Sequence, residues 1–216
     1  MDKVVIIDTE SSNILSLKRA VEIYQPKVEV TTNSDKILKA NKIFFPGVGA
    51  FKKVMKTLEA KKLTTTLKEA NKKKIPIFGI CLGMQLFFEE SEEFGVSKGL
   101  GLINGKVKAL PRTSKINEKL KVPSIGWFNL TTNNKFENKN FKKLINSIDK
   151  KDFYYFIHSY YVFPEKKEQI AATYNFGGYE IPAIVSKDNI IGCQFHPEKS
   201  GKRGLELISS FLKLSF

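Results

Sequence analysis

The chain has 216 residues, 42% of them hydrophobic, and carries 36 Lys and Arg against 22 Asp and Glu, a net charge of +14. That apolar share is enough for one good core, and two cysteines, at 81 and 193, are too few for a disulfide scaffold. The positive charge invites a nucleic-acid partner, but the lysines are dispersed in pairs such as Lys52-Lys53, Lys61-Lys62 and Lys142-Lys143 and mixed with Glu59, Glu69 and Glu118. Such mixing describes a solvated surface, part of which is available to steer docking of an acidic protein.

Short apolar runs alternate with amphipathic stretches along the first half. Val4 to Ile7 is written as a strand, and Ile14, Leu17, Lys18 and Val21 begin a helix capped by Ser12 or Asn13. Ile43 to Phe45 is the next strand, ending in a loop from Pro46 to Gly49; Phe51, Val54, Met55 and Leu58 then line a helix. Ile75 to Ile80 forms a third strand, followed by a helix-like stretch from Met84 to Phe88. This βαβα spacing predicts an α/β protein with a mainly parallel sheet and helices on both faces. Beyond Gly105 the spacing tightens to strands at Val107 to Leu110, Leu120 to Pro123, Phe128 to Leu130, Phe153 to Ile157, Ile170 to Asn175, Ala183 to Val185 and Ile190 to Phe195. These fit antiparallel additions, closed by a helix from Gly204 to Leu214. One domain over residues 1–216 is expected. With no run of 18 apolar residues and no leader-like start, so is a soluble cytoplasmic protein.

The segment Gly79-Ile80-Cys81-Leu82-Gly83 joins the third strand to its helix. Glycines on either side of a sharp strand-to-helix turn let a nucleophile project above the sheet, where the helix N-terminus favours an anion. Cys81 is therefore the candidate nucleophile. It needs a base, and the chain has two histidines, His158 and His196. His196 is the better placed: it ends an apolar strand in His196-Pro197-Glu198, where Pro197 favours an extended histidine and Glu198, two residues on, faces the same side to orient the imidazole. For His158, a core or loop-orienting role is the stronger reading. The separations among Cys81, Cys193, His158 and His196 match no zinc-finger spacing, so neither a metal nor a cofactor is expected.

Four segments, Pro46-Gly47-Val48-Gly49-Ala50-Phe51, Gly79 to Gln85, His158-Ser159-Tyr160-Tyr161 and Gln194 to Gly201, resemble the class I (triad-type) glutamine amidotransferases. Within that class, the similarity from Val4 to Leu212 is to the glutaminase subunits of imidazole glycerol phosphate synthases. The resemblance implies a flavodoxin-like amidotransferase fold. It further implies glutamine hydrolysis through a Cys81 thioester, with His196 and Glu198 completing the triad. The N–H of Leu82, just after the nucleophile, is a natural oxyanion donor; a second is expected from Gly47-Val48-Gly49, which by resemblance flips a peptide to supply it. Gln85 and the Ser159-Tyr160 backbone are implied as glutamine binders, although the aromatics from Phe153 to Phe163 also suit a half-buried sheet.

The implied partner is a cyclase-type TIM-barrel synthase subunit in a heterodimer, with Asn13, Trp127 and Lys199 at the interface. Ammonia passing to it would yield imidazole glycerol phosphate and aminoimidazole carboxamide ribotide in histidine biosynthesis. Two alternatives stay open: a paralogue feeding a barrel that serves a surface-sugar amidotransferase, and an inactive regulatory homologue, which predicts a damaged triad. The family's Asp-Tyr-Gly-Met-Gly-Asn loop here reads Asp8-Thr9-Glu10-Ser11-Ser12-Asn13, and its Pro-His-x-Gly-Trp-Asn segment reads Pro123-Ser124-Ile125-Gly126-Trp127-Phe128. Both lie toward the synthase subunit in the family, so a drifted docking face is expected.

Overall fold

A computed structural model describes residues 2–10 and 14–215. In chain order the elements are β1 (Val4–Ile7), α1 (Ile14–Glu22), β2 (Glu29–Thr31), α2 (Ser34–Leu38), β3 (Lys42–Gly47), α3 (Phe51–Ala60), α4 (Leu63–Lys72), β4 (Ile77–Cys81) and α5 (Leu82–Gln85). They continue with β5 (Glu90–Ser91), β6 (Ser97–Lys98), β7 (Gly105–Ala109), β8 (Ser124–Asn129), β9 (Thr131–Thr132), α6 (Lys139–Asn146) and β10 (Phe153–His158). The last are β11 (Tyr160–Pro164), β12 (Ile170–Phe176), β13 (Tyr179–Lys187), β14 (Ile190–Cys193) and α7 (Gly201–Leu212), with 3-10 turns at Lys167–Gln169 and Pro197–Lys199.

The main sheet has eight strands in the order β2-β1-β3-β4-β14-β13-β12-β9. Its first five are mutually parallel and the rest antiparallel. Strand alternation sends neighbouring residues to opposite faces. Val4, Ile6, Phe44 and Phe78 pack with Leu17, Val21 and Phe211 on the α1 and α7 side. Val5, Ile7, Phe45 and Ile77 pack with Leu58, Leu63 and Leu67 on the α3 and α4 side. Central strands buried on both faces explain the unbroken apolar runs in the sequence. Two smaller sheets, β10-β8 and β11-β7-β5-β6, complete the fold.

Several boundaries move. Pro46 and Gly47 finish β3 instead of opening a loop, and the helix expected over Met84 to Phe88 is a single turn, Leu82–Gln85, followed by tighter bonds such as Phe87 N–H to Met84 O. Leu120 to Pro123 is not a strand; Lys119 alone bridges Thr113, and Pro123 has no N–H to continue a ladder. The final helix starts three residues early, at Gly201. The expected helix cap at Ser12 or Asn13 lies outside the described residues. Among the described residues no helix is long and apolar enough to cross a membrane.

Candidate active site

Residues 47, 81 and 193 come from the carboxyl ends of three adjacent parallel strands, the place where open α/β sheets bind ligands. Gly47 pairs with Cys81, and Cys193 with Ile80, so β3, β4 and β14 end level with one another. Cys81 takes the turn on its own backbone, at φ 54° and ψ −113°. The left-handed φ is a strained conformation for a side-chain-bearing residue, the kind that surrounding structure must enforce. The flanking glycines therefore serve differently from the expectation: Gly83 gives space rather than a turn, since a Cβ there would lie 1.9 Å from the Phe45 carbonyl oxygen.

His196 is brought to Cys81 by the chain beyond β14. Its N–H donates to Tyr155 O at 2.9 Å, and Ser200 Oγ donates to its carbonyl at 2.6 Å while accepting from Tyr155 N–H at 3.0 Å. Ser200, inside the Gln194 to Gly201 segment but given no role there by the sequence, thus clamps the histidine backbone. The imidazole Nδ1 meets Glu198 Oε1 at 2.8 Å, leaving Nε2 for the sulfur of Cys81. Glu198 gets there through the turn Pro197–Lys199 and not by strand alternation; only His196 itself is extended. Burial opposes charge on His196 most strongly, yet hydrogen bonds to Cys81 and Glu198 together outweigh it and push its pKa up to about 10. The proton belongs to the coupled pair, with the carboxylate stabilising the imidazolium.

His158 is the opposite case: burial pushes its pKa down to about 4. Tyr160 O, an acceptor, lies 2.9 Å from Nδ1, so that nitrogen carries the proton and Nε2 accepts from the Tyr174 hydroxyl at 2.8 Å. Two histidines with pKa values driven apart mark different roles. His158 is a neutral strut, as the sequence reading favoured. Below about pH 6.5 an unfolded histidine takes up a proton that buried His158 refuses until about pH 4, so stability falls across that window as pH falls. His158→Asn is expected to flatten this slope, in urea midpoints measured from pH 7 to 4; an unchanged slope would assign the loss elsewhere.

The loop Gly47-Val48-Gly49 lies against the turn after the nucleophile: the Cβ position of Gly47 is 2.9 Å from Gly83 N and 3.1 Å from Leu82 Cβ. Gly49 sits at φ +96° with nothing within 4 Å of its Cβ position, so its peptide has room to rotate. The loop's far end is held by Glu93, whose Oε2 accepts from Phe51 N–H at 2.6 Å, a contact with no sequence signature. As first residues of a helical turn, Leu82 and Gly83 have N–H groups without intrahelical acceptors.

Gln85 is buried and its Nε2 donates to Tyr160 O at 2.9 Å. Ser159 O accepts from Leu110 N–H and Tyr160 O from Gln85, so these carbonyls are already engaged. Cys193 is buried and free, donates from Sγ to Phe195 O at 3.3 Å, and has its thiol pushed well up by burial. Of the interface candidates, Asn13 lies outside the described residues, while Trp127 and Lys199 are exposed.

Trp127 belongs to a larger feature. β8 and β10 pair so that Ile125 faces Ile157 and Trp127 faces Tyr155. One face of this two-stranded sheet leaves Ile125, Trp127, Phe153 and Ile157 between 41% and 53% exposed. Ser124 and Phe128 turn the other way: Ser124 is buried near the Tyr174 hydroxyl, and Phe128 packs on Phe156 and Tyr174. The two substituted positions therefore alter the layer beneath the exposed face. Ser124 and Phe128, an even number of residues apart in one strand, share that inner side.

Residues 5–214 match the model of the glutamine amidotransferase class-I family. The chain belongs to the class-I glutamine amidotransferases. It is 40% identical over 214 residues to imidazole glycerol phosphate synthase subunit HisH 1 of Methanococcus maripaludis, covering 98% of this chain and 99% of the relative. It is also 40% identical over 209 residues to the HisH subunit of Methanocaldococcus jannaschii, covering 97% and 98%. A structure of PurLQS from Thermotoga maritima superposes with a TM-score of 0.71 at 17% identity over 98% of each chain, a likeness of fold.

Proposed function

We propose that the chain is the glutaminase subunit of imidazole glycerol phosphate synthase, and that Cys81, His196 and Glu198 are its catalytic residues. The observation that carries this reading is the convergence of a thiol, an imidazole and a carboxylate, joined by hydrogen bonds, above the ends of β4 and β14. Cys81 Sγ attacks the side-chain carboxamide carbon of L-glutamine, forming a C–S bond as the carbonyl electron pair moves onto oxygen. N–H groups of Leu82 and of the Gly47-Val48-Gly49 loop hold that oxyanion. Collapse expels ammonia, which takes its proton from His196. Water, deprotonated by the same histidine, then cleaves the thioester to glutamate and restores the thiol. Glu198 accepts from Nδ1–H throughout and keeps Nε2 aimed at the reacting atoms. Gln85, with N–H groups of Ser159 and Tyr160, holds the amino-acid end of the substrate.

Ammonia protonates in water, so it serves a second reaction best when delivered through a closed contact. The apolar face of Ile125, Trp127, Phe153 and Ile157 suits that contact, because Tyr155 between them bonds the His196 backbone. Trp127, Lys199 and Asn13 belong to the interface on this reading. Its occupant is the cyclase-type TIM-barrel subunit, forming a heterodimer in the cytoplasm in which ammonia meets a phosphoribosyl carboxamide intermediate. The inactive-homologue alternative lacks support, since all three triad side chains are present and in contact. Purified alone, the chain should hydrolyse glutamine weakly, and a barrel subunit with its ligand should raise the rate; full activity without any partner contradicts the reading, as does failure to restore growth of a histidine-requiring strain lacking this subunit. Trp127→Asp should weaken association by about 2 kcal/mol or more, the scale of an interface hot spot. Calorimetric titration measures it, while the melting temperature of the free chain should hold because the side chain is half exposed.

A further inference from the structure

We propose that Gln194 is a positioning residue of this reaction: its buried carboxamide donates to the Cys81 sulfur, holds it in its attacking orientation, and couples it to Gln85. The inference rests on the proposed glutaminase chemistry and deepens it. Gln194 is fully buried immediately after β14, with its backbone N–H on Ala183 O at 2.9 Å. Its Nε2 lies 3.6 Å from Cys81 Sγ, a normal reach to sulfur, and its Oε1 lies 2.9 Å from Gln85 Nε2.

The direction of this chain of hydrogen bonds is fixed at its far end. Tyr160 O is a backbone carbonyl and can only accept, so the Gln85 group 2.9 Å from it must be the NH2. The second hydrogen of that NH2 points to Gln194, which must therefore present its carbonyl oxygen there. Gln194 is left with its own NH2 toward Cys81. A single carbonyl at the start of β11 thus dictates that the sulfur faces a donor, which stabilises the negative charge an attacking sulfur carries. The same carbonyl accepts from His158 Nδ1–H at 2.9 Å, so the strut and the sulfur share one anchor. A buried amide costs free energy to desolvate, and leucine would fill the space without that cost.

Two variants separate the roles. Gln194→Glu keeps an oxygen for Gln85 but replaces the donor at sulfur with an acceptor or an anion; Gln194→Leu removes both contacts. The first readout is the rate of Cys81 alkylation by iodoacetamide against pH, followed by mass spectrometry of the Cys81 peptide, with buried Cys193 as an internal control. The second is kcat and KM for glutamine in the complete complex. Both variants should move the alkylation midpoint to higher pH, Glu further than Leu, and lower kcat by about ten- to a hundredfold, the scale of one hydrogen bond to a charged group. Superimposable alkylation profiles overturn the proposal whatever happens to turnover, because a packing role would lower activity without moving them. Alkylation needs no glutamine, so a parent protein that fails to turn over glutamine would count against the glutaminase reading and leave this test standing. Should Gln194→Leu not fold, the isosteric Gln194→Glu decides alone.

Discussion

Cys81→Ala will lower glutamine hydrolysis by the partnered enzyme by roughly a thousandfold or more, and His196→Ala will come close to it. On the proposed mechanism the two losses belong together because the groups act as a unit: the sulfur forms the covalent bond, and the imidazole both receives the thiol proton and returns it to ammonia. Combining the substitutions should therefore cost little beyond either one alone. His158→Asn is the control. His158 is the more perturbed toward neutrality, but it contacts Tyr160 O and the Tyr174 hydroxyl, not the sulfur. It should retain thioester formation, seen as trapping of labelled glutamine on the protein, whereas His196→Ala should trap almost none. Equal losses in the two variants would mean that the base has been assigned to the wrong histidine.

Gly83→Ala will destabilise the fold by about 3 kcal/mol or more, beyond the usual range for adding one methyl group. The new Cβ would sit 1.9 Å from Phe45 O and 2.9 Å from Phe45 C, both backbone atoms of a central strand, so no side-chain rotation relieves the contact. Either β3 or the turn carrying Cys81 must shift. For a chain of this length that cost lowers the melting temperature by roughly 6–12 °C, and activity should fall with it because the displaced turn holds the nucleophile. Gly95→Ala is a useful comparison: its φ is +92°, but nothing lies within 4 Å of the added methyl. It should cost only about 1 kcal/mol of backbone strain. Indistinguishable melting curves for the two variants would show that the turn yields more freely than this packing allows.

The parts of the molecule legible in the sequence are those where one residue type has one physical use. Val4 to Ile7 and Ile77 to Ile80 read as central strands because both faces are buried. The alternation Phe153, Tyr154, Tyr155, Phe156 read as a half-buried sheet, and the structure turns Tyr154 and Phe156 inward. The segment at Gly79 to Gly83 read as a turn presenting a thiol, although the strain falls on Cys81 and the glycines supply clearance. What escaped detection depends on long-range contacts. The short helix Lys139–Asn146 hides its apolar stripe of Phe141, Leu144 and Ile145 among lysines and asparagines. Gln194 and Ser200 lie in a segment the sequence singled out and Glu93 does not, but the roles of all three come from partners at positions 81, 155 and 51, which no local pattern reveals. Which way Ser124 and Phe128 point was not legible either, because strand register, unlike strand existence, cannot be counted from a motif.

Because β4 and β14 are nearest neighbours in register, the chains that carry Cys81 and His196 leave the sheet side by side, one strand spacing of about 4.8 Å apart. The last step to the imidazole is made by the segment beyond β14, held at the His196 backbone by Tyr155 and Ser200. A change confined to the peptide at Gly49, where nothing lies within 4 Å of the Cβ position, would reach the site without disturbing that sheet spacing.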